Sequence, residues 1–433
     1  MKTRILAAVL AAMLLLSCLS GCGAATASTA ESAASSAAAE SSDGVITLTF
    51  PCIWVGSDSK AEVFGKMVED FNTEYAGQYQ VVIEEQTDYD LYEDKLRTQI
   101  TTGDAPDIFT VKDFSDVELY AESGKLMDLT AFLTGDDIAP LFIDGAVEAA
   151  QVGGVSYAFP YENAVVPIMF NRSLLESAGI TEIPTSFEEL FEVAATLQEN
   201  GIYAFTQSTA DNAWFAMLWY SYALAACGGE NVYDNGLDDP AFVEAAELVQ
   251  KMFEYTSSDA IGADATVANG HFFNERSAMY LNGTWILGRI KSEGVEGLYD
   301  NLAVSTGLSY NGQNGGAYIN QVQAYLCAAK QDDPAKQAAV EAFFTYILNP
   351  DRVGELCASS GSLFAVNVDA SVISDPVQAE IVAQSSSASF TIGHFNGSMS
   401  TAVAAEFPSA LEALILGDTT PEEFVEQLKA ADK

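Results

Sequence analysis

The chain has 433 residues, with 18 Lys+Arg against 61 Asp+Glu and a formal net charge of -43 at pH 7. So acidic a surface offers no basic face to phosphates, which excludes nucleic-acid binding and docking on anionic headgroups through protein charge. Two histidines, His271 and His394, are too few and too far apart in sequence to suggest a zinc site, and no metal or cofactor is expected.

Lys2 and Arg4 precede a short apolar stretch from Ile5 to Leu16, long enough for a secretory h-region but short for a bilayer span. Leu19-Ser20-Gly21-Cys22 follows and resembles a bacterial lipobox, in which the signal (1–21) is cut and Cys22 receives lipid. Residues 22–43 are then the lipidated cysteine and a tether. Ala24 to Ser42 is almost all Ala, Ser, Thr and Glu, and has no large apolar residue to offset its ordering entropy.

Ile46, Leu48 and Phe50 alternate with threonines as in a strand, which Pro51 to Trp54 carry to its end. Ser59 and Glu62 match an S-x-x-E capping box ahead of Val63, Phe64, Met67, Val68 and Phe71 at helical spacing. Tyr79 to Glu84 reads as the next strand, and strand–helix–strand order implies a parallel pair in an α/β fold. Asp107 to Val111 is a short apolar strand, and Val155 to Phe170 an extended stretch interrupted by Pro160 and Pro167. Pro184, Ser186 and Glu189 open a helix that Gly201 closes. Ala213 to Cys227 reads as a buried aromatic helix, and Thr420-Pro421-Glu422-Glu423 as a capping box with proline at the first helical position. About 390 residues exceed what one core usually organises, so two lobes are expected. Cys52, Cys227, Cys327 and Cys357 read as small core residues rather than two bridges, with no pairing given by their spacing.

Several segments resemble family 1 extracellular solute-binding proteins, the sugar-type, maltodextrin-binding-like receptors of ABC importers. Ile100-Thr101-Thr102-Gly103-Asp104-Ala105-Pro106-Asp107-Ile108 is similar to the family's "GdaPDv" segment. Phe170-Asn171-Arg172-Ser173-Leu174-Leu175, with Ala178-Gly179-Ile180 and Pro184, matches its "yN..l...aGi..pP" run. Phe273 to Met279 with Asn282-Gly283-Thr284-Trp285 resembles "F..G.aAM...G.W", and Cys227-Gly228-Gly229 and Asp238-Asp239-Pro240 also fit. Glu275-Arg276 stands where a glycine is usual, and His394-Phe395 lies near where many members carry tryptophan. The resemblance implies an α/β, two-lobe periplasmic-binding-protein-like fold with a ligand cleft between lobes. Lobe one would hold 44–159 plus about 315–368, and lobe two 160–306 plus about 375–433. It further implies a monomeric receptor for a carbohydrate, of oligosaccharide type, that delivers it to ABC permease subunits. The receptor would sit on the outer face of the cell membrane, held only by the lipid on Cys22.

A sugar presents apolar C–H faces and a ring of hydroxyls, so its site combines aromatic faces with carboxylates and amides. Strand ends and loop starts supply the candidates. Trp54 and Asp58 follow the first strand, and Asp107 and Asp113 flank the third. Tyr161 and Glu162 lie at the expected crossing, Asp211, Asn212 and Trp214 open the aromatic helix, and Trp285, His394 and Phe395 come later. Each has a structural alternative in core packing, capping or a solvated loop. No G-x-S-x-G, H-E-x-x-H, G-x-x-x-x-G-K-[ST] or G-x-G-x-x-G occurs, so an enzyme is not expected. The scarcity of basic residues favours a neutral solute, although Arg172, Arg276 and Arg289 could clamp an anion. A glycerophosphodiester or polyamine receptor, a secreted glycoside hydrolase and an adhesin or scaffold stay open as alternatives.

Overall fold

The computed structural model describes residues 44–432; the signal, lipobox and tether readings lie outside the described residues. The strands in chain order are β1 (Ile46–Cys52), β2 (Tyr79–Glu85), β3 (Ile108–Val111), β4 (Ala158–Val166), β5 (Ile168–Asn171), β6 (Tyr203–Phe205), β7 (Ser277–Leu281), β8 (Leu302–Ser305), β9 (Ala317–Ala328), β10 (Leu363–Phe364) and β11 (Phe390–Ile392). β1 and β2 pair in parallel, with helix Ala61–Glu74 between them, as their order predicts. β4 and β9 form an antiparallel ribbon. At one end of β9, residues Tyr325 to Ala328 pair with β3; at the other, Ala317 to Ile319 pair with β11. β6, β7, β5 and β8 make a separate sheet in that order.

Two cores lie at the two ends of this ribbon. One gathers Phe50, Phe64, Phe109 and Phe343 with Phe159 and Tyr161 of β4 and Leu326 of β9. The other gathers the aromatic helix Trp214–Gly228 with Phe170, Phe187 and Phe407, together with Val166 of β4 and Ile319 of β9. A third cluster covers the opposite face of the β6-β7-β5-β8 sheet. Met169 and Tyr280 point into it, while Ile168, Phe170, Met279 and Leu281 point into the second core. This alternation is the period-2 rule for a sheet buried on both faces. No helix among the described residues is long and apolar enough to cross a membrane.

Several local readings match the structure. Ser186 Oγ accepts the Glu189 N–H at the start of helix Phe187–Glu199, and Gly201 follows its end at φ 75°. Thr420 and Glu423 form the reciprocal capping box. The four cysteines within the described residues are free; burial pushes the Cys52, Cys227 and Cys357 thiols up to about 12, so they are inert at neutral pH.

Other readings are corrected. The capping box at Ser59 and Glu62 does not form: the residue ahead of the helix is Lys60, and Ser59 Oγ is buried without a partner. Asp58 takes over, its Oδ1 accepting the Lys60 N–H at 2.8 Å. Pro160 does not interrupt β4; it sits inside the strand beside a register shift, where proline is tolerated because pairing is already irregular. Glu275, at the position where the resemblance expects glycine, adopts the left-handed φ of 54° that glycine would adopt freely. Its carboxylate is held at 2.9 Å by Asn171 Nδ2, while Asn171 Oδ1 caps helix Arg172–Ser177.

Asp113 precedes helix Phe114–Glu122 without making a side-chain cap. Burial, with the Glu93 carboxylate nearby, pushes its carboxyl up to about 6. The folded state therefore holds this proton more tightly than the unfolded state. The resulting stability is complete below about pH 4 and is lost as pH rises through about 6. Asp113→Asn should stabilise the fold at pH 7.5 and leave it nearly unchanged at pH 3.5. Denaturant titrations at both pH values check this, and equal gains at the two would remove Asp113 as the source.

Candidate functional site

A cavity of about 540 Å³ opens where the loop after β1, the middle of the β4–β9 ribbon and the start of helix Trp214–Gly228 meet. The size lies within the roughly 300–1,000 Å³ of small-molecule sites. Of the sequence candidates, Asp58, Glu162, Asp211, Asn212, Trp214 and Trp285 line it.

Its first wall is a buried ionic network. Lys60 Nζ lies 3.0 Å from Glu162 Oε1, 3.2 Å from Asp58 Oδ1 and 3.5 Å from Ser362 Oγ. Those three acceptors match the three ammonium donors. Glu162 in turn accepts from Ser362 Oγ at 2.9 Å and from Trp54 Nε1 at 3.1 Å. Burial alone would lower the Lys60 pKa; the Glu162 and Asp58 carboxylates outweigh it and raise it, so the ammonium stays charged. The network joins the loop after β1, the centre of β4 and the segment before β10.

The second wall is aromatic. Trp214 and Trp285 meet with ring centroids 6.1 Å apart at 42°. Trp285 lies on the turn Thr284–Ile286 and folds back over Gly283, where a Cβ would stand 2.2 Å from the indole ring. Only glycine fits beneath it, which gives Asn282-Gly283-Thr284-Trp285 its physical reason. Trp214 begins its helix from Ala213, at φ 52°, two residues after Asp211 at φ 56°. Two side-chain-bearing residues in the left-handed region cost about 1–3 kcal/mol each, which surrounding contacts must offset. Thr209 supplies some, donating to Glu412 at 2.7 Å and accepting from the Gly262 N–H at 2.8 Å.

A one-way hydrogen-bond chain runs behind the tryptophans. Trp214 Nε1–H and the Gly283 N–H both donate to Asn282 Oδ1, at 3.0 and 2.9 Å, which fixes the orientation of that amide. Asn282 Nδ2 donates to the Tyr280 hydroxyl at 2.8 Å, and Tyr280 donates to Asn269 Oδ1. The chain ends at Asn269 Nδ2, a donor with no protein partner among the described residues, on a buried residue that lines the cavity. Lys60, Asn269, Asn282, Arg289 and Gln323 join the lining beyond the sequence candidates. Of these, Asn282 lies in a recognisable motif, and Arg289 is one of the sequence's candidate anion clamps.

The remaining candidates lie elsewhere. Trp54 is buried against Phe64 and Tyr161, with ring centroids at 4.8 and 5.5 Å, and reaches the site only through Glu162. Tyr161 points into the first core and donates to the Ile347 carbonyl. Asp107 is taken up by the Thr49 N–H and hydroxyl and by Lys336 at 2.6 Å, which fastens β1 to β3. Asp113 stands ahead of its helix, as above. His394 lies behind Trp214, ring centroids 5.3 Å apart; burial, with Lys112 adding to it, pushes its imidazole down to about 3, so it is neutral. Phe395 belongs to the second core against Tyr220 and Phe407.

Lys60→Met should cost about 3–5 kcal/mol, because it leaves Glu162 buried beside uncompensated acidic neighbours. Lys60→Met with Glu162→Gln should recover part of that loss. Urea unfolding of both variants reads this; an unchanged single variant would mean the pair contributes nothing to stability.

Residues 66–381 match the family described as bacterial extracellular solute-binding protein. The maltotriose-binding protein of Pyrococcus abyssi is 25% identical over 246 residues, 55% of this chain and 50% of that protein. The diacetylchitobiose binding protein of Streptomyces coelicolor is 24% identical over 226 residues, 50% and 49% of the two chains. The chain thus spans about half the length of the curated relatives it matches. Among solved structures, a chitin oligosaccharide binding protein superposes with a TM-score of 0.81 at 20% identity, covering 90% of this chain and 99% of that one. A structure from work on xylan utilization by Caldanaerobius polysaccharolyticus gives 0.79 at 22% identity, covering 90% and 100%. At such identities the likeness carries the fold, which is the two-lobe α/β architecture expected from the sequence. With nearly three-quarters of its length matched, the chain belongs to the bacterial extracellular solute-binding protein family.

Proposed function

We propose that the protein is a receptor that binds a carbohydrate, of oligosaccharide type, in this cavity and hands it to the permease of an ABC importer without chemical change. The observation that carries the reading is the Trp214–Trp285 corner sharing one cavity with carboxylates and amides. Indole faces cover the apolar C–H face of a sugar ring, while Asp58, Asn269 and Gln323 supply acceptors and donors for its hydroxyls. Relatives named for binding maltotriose, diacetylchitobiose and galactooligosaccharides support the ligand class. A phosphodiester ligand is less well served, because Arg289 already holds Glu293 through two hydrogen bonds, at 2.7 and 2.8 Å.

The mechanism follows from the cavity's position beside the β4–β9 ribbon. In this reading lobe one (44–159 plus about 315–368) brings Asp58, Lys60 and Ser362, lobe two (160–306 plus about 375–433) brings Trp214 and Trp285, and Glu162 stands on the crossing strand β4 between them. A ligand touching both biases the equilibrium toward the closed arrangement by its differential affinity. The permease then reads that arrangement. Cys22 carries the lipid that holds the receptor, as a monomer, at the outer face of the membrane.

Trp285→Ala should weaken sugar binding about tenfold in calorimetric titration while the protein stays folded by circular dichroism. Equal affinity would reassign the ring to packing, and no binding of any carbohydrate by the parent protein would remove the reading. Cys22→Ser should release the protein from membranes into the medium in fractionated cells; unchanged membrane retention would sink the anchor.

A further inference from the structure

We propose that the ligand carries a protonated amino group, as in a sugar with a free amine, and that Asp211 is its principal counter-charge. This rests on the carbohydrate reading and narrows it.

Three cations line the cavity, and each is already committed to a carboxylate of the protein. Lys60 is held by Glu162 at 3.0 Å, Lys112 by Glu93 at 2.8 Å, and Arg289 by Glu293 at 2.7 Å. The lining carboxylates are not all balanced in return. Asp211 is exposed and makes no hydrogen bond or ion pair among the described residues. Asp88 Oδ1 accepts the Leu91 N–H of helix Tyr89–Thr102 and makes no ion pair among the described residues. The unspent charge facing the ligand is therefore negative. A uronate or phosphate would meet repulsion, whereas an ammonium would gain a charge-assisted hydrogen bond.

The placement of Asp211 is built rather than incidental. Its backbone sits at φ 56°, where side-chain-bearing residues seldom lie, and the loop leading to it is pinned through buried Thr209 and through the Ala210 N–H to the Ala263 carbonyl at 3.0 Å. Trp214 and Trp285 line the same cavity as Asp211, and the quadrupoles of their rings favour a cation there. Asn269 Nδ2 is independent of the charges: on a buried residue that lines the cavity, with no protein partner among the described residues, it is free to donate to a ligand hydroxyl. A sugar with both hydroxyls and an ammonium satisfies the two demands together.

The test is calorimetric titration of the parent protein with matched neutral, N-acetylated, free-amine and uronate forms of gluco- and galacto-configured disaccharides. The free-amine form should bind about tenfold more tightly than the neutral form at low ionic strength. The gap should shrink in about 0.5 M salt, where exposed charges are screened. Asp211→Asn keeps the left-handed backbone, which asparagine adopts readily, and should bring the amine-to-neutral affinity ratio close to one. Neutral or N-acetylated forms binding as well as the amine, or a ratio untouched by Asp211→Asn, would overturn the inference and leave the carbohydrate reading standing. Silence from every form would remove both.

Discussion

The β4–β9 ribbon is the constraint on which the rest of the molecule depends. Both strands run from one core to the other, so each is apolar at its ends. Phe159, Tyr161 and Leu326 are locked into one core, and Val166 and Ile319 into the other. Between them stand Glu162, Asn163, Asn320, Gln321 and Gln323, and there the pairing slips twice, on either side of Glu162. A bulge removes regular ladder bonds and lets a strand bend. Close-packed ends deform little, so the lobe rotation of the proposed mechanism would fall in this polar middle.

A carboxylate buried at such a bend must be compensated. Glu162 obtains the Lys60 ammonium, the Ser362 hydroxyl and the Trp54 N–H. The solution draws three distant parts of the chain to one point. It also explains why Trp54 and Tyr161, though buried, belong to the same assembly as the cavity: their rings form the apolar floor beneath the network. The aromatic wall follows a parallel logic with neutral groups. The Trp214 N–H is consumed by Asn282, which fixes the ring, and the amide–hydroxyl chain passes a donor on to Asn269.

Much of the fold was legible because it is local. The parallel β1–β2 pair, the Ser186 cap, the Thr420 box and the aromatic helix each rest on residues a few positions apart. The Ser59 box failed because Lys60 is pulled inward by Glu162, a partner no local pattern contains. At the site, residues flanking recognisable elements, such as Asp58, Trp214 and Trp285, were within reach of sequence reasoning. Lys60, Asn269 and Gln323 were not, because a buried polar residue and a solvated one look alike in sequence. Asp107 misled for a related reason: its motif is specific, but the specificity is for tying β1 to β3. Glu275 is the instructive exception. Its side chain, by bonding Asn171, offsets the backbone strain that a glycine would have avoided.

Charge separates scaffold from recognition in this molecule. A chain with net charge -43 could have placed its few cations anywhere, yet three of the 18 Lys+Arg line the cavity. Were they there for the ligand, their nitrogens would face it unpaired. Instead the Lys60 ammonium is saturated by three acceptors and the Arg289 guanidinium by a two-point bond to Glu293. Each thus fixes an acidic group or a helix turn in place. On the proposed function, what remains for recognition is uncharged donors, aromatic rings and acceptor carboxylates. Neutral donors discriminate by position rather than by long-range attraction, because their interaction vanishes once the geometry is lost. In the proposed receptor, selectivity would be set by how firmly the loops hold Asp211, Asn269 and Trp285. In this chain a strained turn, a hydrogen-bond chain and a glycine beneath an indole do that holding.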